Sequence, residues 1–187
     1  EGILSGTLAW LCNRYDGSVP FGALVGQARA LGYTEPDPRD DLGGLDVARK
    51  LVILAREAGR PLALAQVRVE SLVPTELAGL DRDAFLARLD ALDAPMAARL
   101  AEARANGQVL RHVARLDAEG ARVGLAALPA DHAFAHLALT DNVVLFRTRR
   151  YRDNPLIVRG PGAGPEVTAA GVFADLLRVA AALGARL

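Results

Sequence analysis

Cysteine, net charge and lysine are all scarce in this sequence. Its 187 residues contain one cysteine, Cys12, so no internal disulfide can form and we expect a reducing compartment, by default the cytoplasm. The formal net charge is zero and the pI is about 7.1. A balanced chain lacks the positive field that attracts nucleic acid or anionic lipid, so we expect neither as a partner.

Long apolar runs are missing as well. No stretch reaches the roughly 20 residues that span a bilayer, and no basic and apolar leader opens the chain. Hydrophobic residues nevertheless make up 51% of the sequence, which is ample for the core of one domain, with or without an appendage. The chain begins at Glu1 and its only methionine is Met96, so we expect a fragment.

Of these scarcities, that of lysine bears most directly on the chemistry of the chain. The sequence has 22 lysine and arginine residues, and Lys50 is the only lysine. Arginine does not deprotonate in proteins, whereas a partly buried lysine can transfer a proton. Lys50 is therefore a candidate proton donor. The alternative is a residue retained by chance in an arginine-rich composition.

Five carboxylates cluster with this lysine in residues 33–50. They are Glu35, Asp37, Asp40, Asp41 and Asp46. Two prolines in the same stretch fix their own φ angles and favour a stiff, extended loop, which suits preorganised acids. A helical apolar pattern begins at Leu45, so Asp46 and Lys50 fall four residues apart on one helical face. By itself that spacing predicts a surface ion pair.

Apolar periodicity divides the chain into a helical first half and a strand-rich second half. It predicts helices over 3–15, 20–31, 45–58, 81–92, 95–105 and 167–183. Alternation predicts strands over 62–73, 142–151 and 155–158, and a hairpin that joins 109–116 to 121–128. Together they predict an α+β fold with a mixed or antiparallel sheet of about four to five strands and helices on one face.

A glycine loop precedes the last predicted helix. Residues 160–164 are Gly-Pro-Gly-Ala-Gly and follow a predicted strand, so their free N–H groups could meet an anion. Most such loops are only turns. No Gly-x-Gly-x-x-Gly motif follows a strand and opens a helix in this sequence, so we do not expect the main cradle of a nucleotide cofactor within it.

Metal binding is another function that the residue types suggest. His132 and His136 have the spacing of a helical zinc pair, but no neighbouring glutamate or cysteine completes a site, so no metal is expected there. Asp37, Asp40 and Asp41 are dense enough to bind a hard cation. A cation-dependent enzyme is thus the alternative that requires no family resemblance.

Three motifs, in order along the chain, resemble those of one enzyme family. They are Gly2-Ile-Leu-Ser-Gly-Thr7, Glu35-Pro-Asp-Pro-Arg-Asp-Asp-Leu-x-Gly-x-Asp-Val-Ala-Arg-Lys50 and Gly160-Pro-Gly-Ala-Gly-Pro-Glu-Val-Thr-Ala169. Together they resemble homoserine dehydrogenase, and residues 167–177 are most similar to the dehydrogenase part of the bifunctional aspartokinase–homoserine dehydrogenases.

The resemblance implies an oxidoreductase of threonine and methionine biosynthesis that interconverts aspartate 4-semialdehyde and homoserine with NADP or NAD. It implies that proton transfer is carried by Lys50 and Asp46. It implies that the substrate is contacted by Gly6, Thr7, Tyr33, Glu35 and Asp41, and the cofactor by Gly162, Ala163 and Gly164. The chemistry agrees, because an aldehyde needs a proton donor at its oxygen and an α-ammonium group needs carboxylates.

The resemblance also implies a division of the chain. Residues 1–159 are expected to form a substrate-binding, catalytic and dimerisation domain, and 160–187 a loop and helix that join an absent nucleotide-binding domain. The isolated chain is then expected to be inactive, and a small-molecule substrate and a homodimer are its expected partners. The alternative is a dimerisation or regulatory module whose acidic loop is structural and whose activity does not need Lys50.

Overall fold

The fold is built on a six-stranded mixed sheet. The computed structural model describes residues 1–137 and 141–185. The strands are β1 (Gly2–Ile3), β2 (Val67–Val69), β3 (Gln108–Asp117), β4 (Gly120–Pro129), β5 (Asn142–Phe146) and β6 (Leu156–Gly160). Their order is β2-β4-β3-β1-β5-β6, and only β2 and β4 pair in parallel. The predicted α+β class is confirmed, and the predicted hairpin is the β3–β4 pair.

The helices gather mainly against one face of this sheet. They are α1 (Gly6–Arg14), α2 (Phe21–Ala30), α3 (Arg39–Leu42), α4 (Leu45–Glu57), α5 (Thr75–Ala78), α6 (Arg82–Leu86), α7 (Asp93–Ala105) and α8 (Pro165–Ala182). Helices α1, α4 and α7 contact β3, and the larger hydrophobic cluster lies between them and the sheet. Burial of these apolar faces supplies the main stabilisation of the fold.

The helix expected over 3–15 begins three residues later than predicted. Ser5 is its N-cap, because Ser5 Oγ accepts a hydrogen bond from the Leu8 N–H at 3.2 Å. Gly2 and Ile3 instead form β1, which pairs with both β3 and β5 at the centre of the sheet. Ile3 is therefore buried as a strand residue, although its spacing from Leu11 also fits a helix.

Three other predicted elements are shorter than expected. The strand over 62–73 is limited to β2, because residues 64–66 form a 3₁₀ turn in which Gln66 Oε1 accepts from the Ala63 N–H at 2.8 Å. The helix over 81–92 stops at Leu86 and resumes as a 3₁₀ turn at Leu89–Leu92, where α2 packs. The strand over 142–151 ends at Phe146, because its pairing with β6 ends there.

The sheet face away from the larger helix cluster is covered over part of its area. Val113, Val143 and Leu145 pack there with Phe134, which is fully buried. The buried guanidinium of Arg111 donates to the carbonyls of Phe134 at 2.9 Å and Ala135 at 2.6 Å. The segment after β4 therefore covers part of the face that the sequence left open, and its residues 131–136 form turns instead of a helix.

Apolar side chains are exposed on β6 and α8 instead. On α8 no described residue is buried, and Val172, Phe173, Leu176 and Val179 are all more than half exposed. Strand β6 lies at the edge of the sheet with Val158 56% exposed. Across residues 1–137 and 141–185, no helix combines the length and the hydropathy needed to cross a bilayer.

Candidate active site

One cavity of about 670 Å³ brings the predicted site residues together. It lies between the start of α1, the loop before α3, the first turns of α4, the start of β5 and the glycine loop before α8. Its lining includes every residue to which the family resemblance gives a role: Gly6, Thr7, Tyr33, Glu35, Asp41, Asp46, Lys50, Gly162, Ala163 and Gly164. Ser5, Gly32, Asn142, Pro161 and Pro165 complete the lining.

Lys50 projects from the second turn of α4 and is held at two points. Its Nζ donates to the Leu4 carbonyl at 3.0 Å and lies 2.9 Å from Asp46 Oδ2. The Lys50 and Asp46 side chains are 45% and 60% exposed, so the expected i,i+4 pair forms, but as a solvated one. An ammonium has three N–H donors, which leaves one for a ligand.

The N-terminus of α1 faces the same cavity and offers free donors. Ser5 caps the helix through its side chain, and the Ser5 carbonyl accepts from the Ala9 N–H at 2.9 Å. The N–H groups of Gly6 and Thr7 precede these bonds and have no intrahelical partner, as is general for a first turn. With the helix dipole, they suit a carboxylate at this end of the cavity.

Asp41 is the most strongly held acid of the cavity. Its Oδ2 accepts from the Glu35 N–H at 2.8 Å, and its Oδ1 lies 2.8 Å from Thr7 Oγ1. The same hydroxyl lies 2.5 Å from the Tyr33 carbonyl, so its single proton serves one of the two acceptors at a time. Burial raises the pKa of Asp41 above its ordinary value, although both hydrogen bonds act in the opposite direction.

Tyr33 and the loop that follows are fixed from outside the cavity. The Tyr33 ring packs on Trp10 with centroids 5.5 Å apart. Further along, Arg39 Nη2 pairs with Asp37 Oδ2 at 2.6 Å, and the hydrogen bond from Arg39 lowers the pKa of Asp37. Asp37 therefore stiffens the loop and does not line the cavity, whereas Asp40 lines a neighbouring polar pocket.

The carboxylates do not assemble a metal site in the part of the chain that the structure describes. Over residues 1–137 and 141–185, no three His, Cys, Asp or Glu side chains come together in a way that could hold a metal ion. His132 contacts an acid instead, since its Nε2 lies 3.6 Å from Glu1 Oε2. The geometry thus gives no support to the cation-dependent alternative.

The glycine loop forms a backbone wall that suits one edge of a flat cofactor. Gly162, Ala163 and Gly164 line the cavity together with Lys50. Gly164 has a φ of 133°, a conformation open to glycine, and Pro165 follows it at the first position of α8. The small side chains of these three residues leave the wall open to a flat ring.

Two residues of the cavity with polar side chains, Ser5 and Asn142, were not predicted from the sequence. Ser5 had a recognisable signal, because a serine directly before an apolar helical pattern is a common N-cap. Asn142 had none. It is the first residue of β5, and its place in the site depends on the return of the chain through Gly162.

Comparisons with known proteins place the chain among the oxidoreductases. The family model described as homoserine dehydrogenase matches residues 1–177, and the chain belongs to that family.

Individual relatives agree with this assignment. The chain is 56% identical over 181 residues to the bifunctional aspartokinase/homoserine dehydrogenase 2 of Escherichia coli, covering 96% of this chain and 22% of that protein. It is 48% identical over 192 residues to the homoserine dehydrogenase of Emericella nidulans, covering 96% of this chain and 52% of that one. The chain thus spans about half or less of these relatives.

The fold agrees with a solved structure as well. A crystal structure of a Candida auris protein of unknown function superposes with a TM-score of 0.90 and 45% identity, over 96% of this chain and 52% of that one. Sequence and architecture are therefore shared over nearly the whole chain.

Proposed function

We propose that this chain is the substrate-binding and proton-transfer part of a homoserine dehydrogenase, which interconverts aspartate 4-semialdehyde and homoserine with NADP or NAD. One observation carries the proposal. A single cavity joins the only lysine of the chain, three carboxylates, the N-terminus of a helix and a glycine loop. These are the groups that a zwitterionic amino acid with a reducible carbonyl requires.

The two charged ends of the substrate have matching partners in this cavity. Its α-carboxylate is assigned to the N–H groups of Gly6 and Thr7 at the positive end of α1. Its α-ammonium is assigned to the carboxylates of Glu35 and Asp41, with the Tyr33 ring as a side wall. Asp41 is preorganised for this, because two hydrogen bonds hold its oxygens in place before any ligand arrives.

The proton is assigned to Lys50. When bound, a nicotinamide cofactor would supply the hydride for the reduction, and negative charge would develop on the carbonyl oxygen of the substrate. The one N–H of Lys50 that is free of Leu4 and Asp46 donates a hydrogen bond to that oxygen and then transfers its proton. In the oxidative direction the neutral amine accepts the hydroxyl proton. Asp46 orients the ammonium in both directions.

The organisation of the chain follows from the same assignment. Residues 1–159 would form the substrate-binding, catalytic and dimerisation domain. The glycine loop and α8 would dock on a nucleotide-binding domain, which agrees with the absence of any buried residue on α8. The final residues 186–187 of the predicted segment lie outside the described residues. The isolated chain would be inactive, because most of the cofactor would lack partners.

A module for assembly alone is the second candidate function. The observation in its favour is the exposure of large apolar side chains on both β6 and α8, a feature typical of interaction surfaces. Assembly through this surface would not depend on Lys50. The two functions are compatible, since a dimerising catalytic domain would use both regions.

The proposal is tested by turnover in a protein that joins this chain to a nucleotide-binding half. We expect homoserine-dependent reduction of NADP or NAD, and poor turnover of N-acetylhomoserine, which lacks the α-ammonium group but keeps the hydroxyl. Equal rates with the two compounds would remove the role assigned to Glu35 and Asp41. Absence of homoserine-dependent reduction would refute the proposed function itself.

A further inference from the structure

Asn142 is a residue of the cavity that no motif identified. It begins β5 and pairs with Gly160 of β6. After Gly160 the chain turns back, and Gly162 lies directly against the Asn142 side chain. A Cβ atom added to Gly162 would fall 1.9 Å from Asn142 Nδ2 and 2.6 Å from Asn142 Cγ. Residue 162 can therefore carry no side chain while the carboxamide keeps this position.

The other glycines of the loop are under no such constraint. A Cβ atom on Gly160 or Gly164 would have no atom of the described residues within 4 Å. Gly164 has a φ of 133°, a conformation that favours glycine. Gly160 has neither this conformation nor a close neighbour among the described residues. Of these three glycines, only Gly162 is required by a neighbouring side chain of the same chain.

We propose that Asn142 is a positioning residue, whose carboxamide supports the glycine loop at the cavity wall, and that Gly162 is required by Asn142 instead of by the cofactor. The contact joins the sheet to the loop, because Asn142 is fixed in the β5–β6 ladder and Gly162 is not. It thereby sets the distance between the loop and the edge of the cavity formed by Thr7 and Lys50. The inference rests on the proposed function, because the loop is taken to place the nicotinamide end of the cofactor.

The contact makes a specific prediction about paired substitutions. Gly162→Ala forces the carboxamide to rotate away, and Asn142→Ala removes it, so both lose the same support. Two changes that abolish one interaction are not additive. We expect each single variant to weaken NADPH binding about five- to tenfold, the usual effect of losing one polar contact, and the double variant to bind no more weakly than the weaker single.

The experiment uses the chain joined to a nucleotide-binding half and measures NADPH dissociation constants by fluorescence titration without homoserine. Gly160→Ala is the matched control, since its methyl group meets no atom, and it should leave binding unchanged. Thermal melts accompany each titration. If Asn142→Ala does not fold, Asn142→Ser replaces it in the same cycle, with the same expected lack of additivity.

Additive losses in the double variant would overturn the inference, because they would mean that Gly162 acts on the cofactor independently of Asn142. Unchanged NADPH binding in a folded Asn142→Ala or Asn142→Ser protein would overturn it as well. Neither result affects homoserine chemistry at Lys50. Conversely, wild-type protein that binds NADPH but does not oxidise homoserine would refute the proposed function and leave this contact standing.

Discussion

The hydroxyl of Thr7 lies 2.8 Å from Asp41 Oδ1, although 34 positions separate the two residues in the sequence. This contact joins the first turn of α1 to α3 and places the helix N-terminus beside a carboxylate. Opposite charges of an amino acid can therefore be bound within one small volume. Because Asp41 is partly buried, its pKa is raised, and the effect of its protonation on substrate binding can be measured.

Substrate affinity is predicted to decrease as the pH decreases, because Asp41 becomes protonated. Burial raises the pKa of this carboxyl, so it takes up a proton at a higher pH than an ordinary aspartate. A protonated Asp41 cannot pair with the α-ammonium, and KM for homoserine should rise as the pH falls through that pKa. Steady-state kinetics across the acid range would measure this rise.

Asp41→Asn provides the matched comparison for the pH effect. Removing a charge-assisted partner costs about 1.5–3 kcal/mol, so KM at neutral pH should rise by roughly 10- to 100-fold, and its acid-range dependence on this group should disappear. Asp40→Asn is the control, since Asp40 lines only the neighbouring pocket. Equal effects of the two substitutions would show that general acidity, and not Asp41, binds the substrate.

His112 is predicted to make the fold sensitive to acid. The residue is buried under the turn that begins α4, and its Nε2 has no hydrogen-bond partner in the described part of the chain. Burial lowers its pKa to about 4. The unfolded chain binds more protons between this value and the usual pKa of about 6.5, so stability falls as the pH decreases through that window. The loss between about pH 7 and about pH 5 should be about 2 kcal/mol.

Urea unfolding at the two pH values would measure this loss. In His112→Leu the loss should be smaller by about that amount, because no buried imidazole remains to be protonated. His136→Leu is the control, since His136 is exposed. A His112→Leu protein with the pH dependence of the wild type would place the acid sensitivity elsewhere.

Self-association is predicted to use the exposed edge strand β6. Its unpaired edge and the 56% exposed Val158 are features that soluble proteins usually protect. We expect a homodimer in sedimentation experiments at tens of micromolar, about the range in which a standard interface is occupied. Val158→Lys should shift the chain to monomer. Ile53→Lys, at a site 59% exposed on α4, should not. A wild-type chain that is monomeric throughout would contradict this expectation.

Cofactor binding by the isolated chain is predicted to be weak. The glycine loop offers one wall, and no phosphate-binding motif accompanies it. Calorimetry with NADP should show no micromolar affinity for the chain alone. Micromolar binding would mean that the described residues already contain the main cofactor site.

The sequence predicted the groups of the site more accurately than the limits of its elements. The unique lysine and the acidic motif were visible directly, because their chemistry depends on residue type and local spacing. Ile3 was assigned to a helix, since apolar spacing does not distinguish a short central strand from a first helical turn. Its pairing with β5 is a contact across 140 residues.

Other features could not be read from spacing at all. Alternation in β3 places Arg111 and Leu110 on opposite faces of the strand, but it carries no information on the carbonyls of the following segment that accept from the Arg111 guanidinium. The contact of Asn142 with Gly162 likewise depends on how β6 returns along β5. Such through-space contacts determine where the site is closed, and local sequence carries no signal for them.

The role of Lys50 as proton donor is the central claim, and Lys50→Arg tests it most directly. Arginine keeps the positive charge and can still pair with Asp46, but it does not release a proton at accessible pH. In a protein that joins this chain to a nucleotide-binding half, kcat should fall by about 10²- to 10⁴-fold, the usual contribution of a general acid. Loss of the exposed pair alone would cost only about 0.3–0.5 kcal/mol of stability.

Arg49→Lys is the control for this measurement, because Arg49 is the exposed neighbour of Lys50 on α4 and lies outside the cavity. It should keep wild-type kcat and melting temperature. The account predicts a Lys50→Arg protein that melts like the wild type and has lost nearly all turnover. A Lys50→Arg protein that retains half of the wild-type kcat or more would contradict it and reduce the Asp46–Lys50 pair to a structural contact.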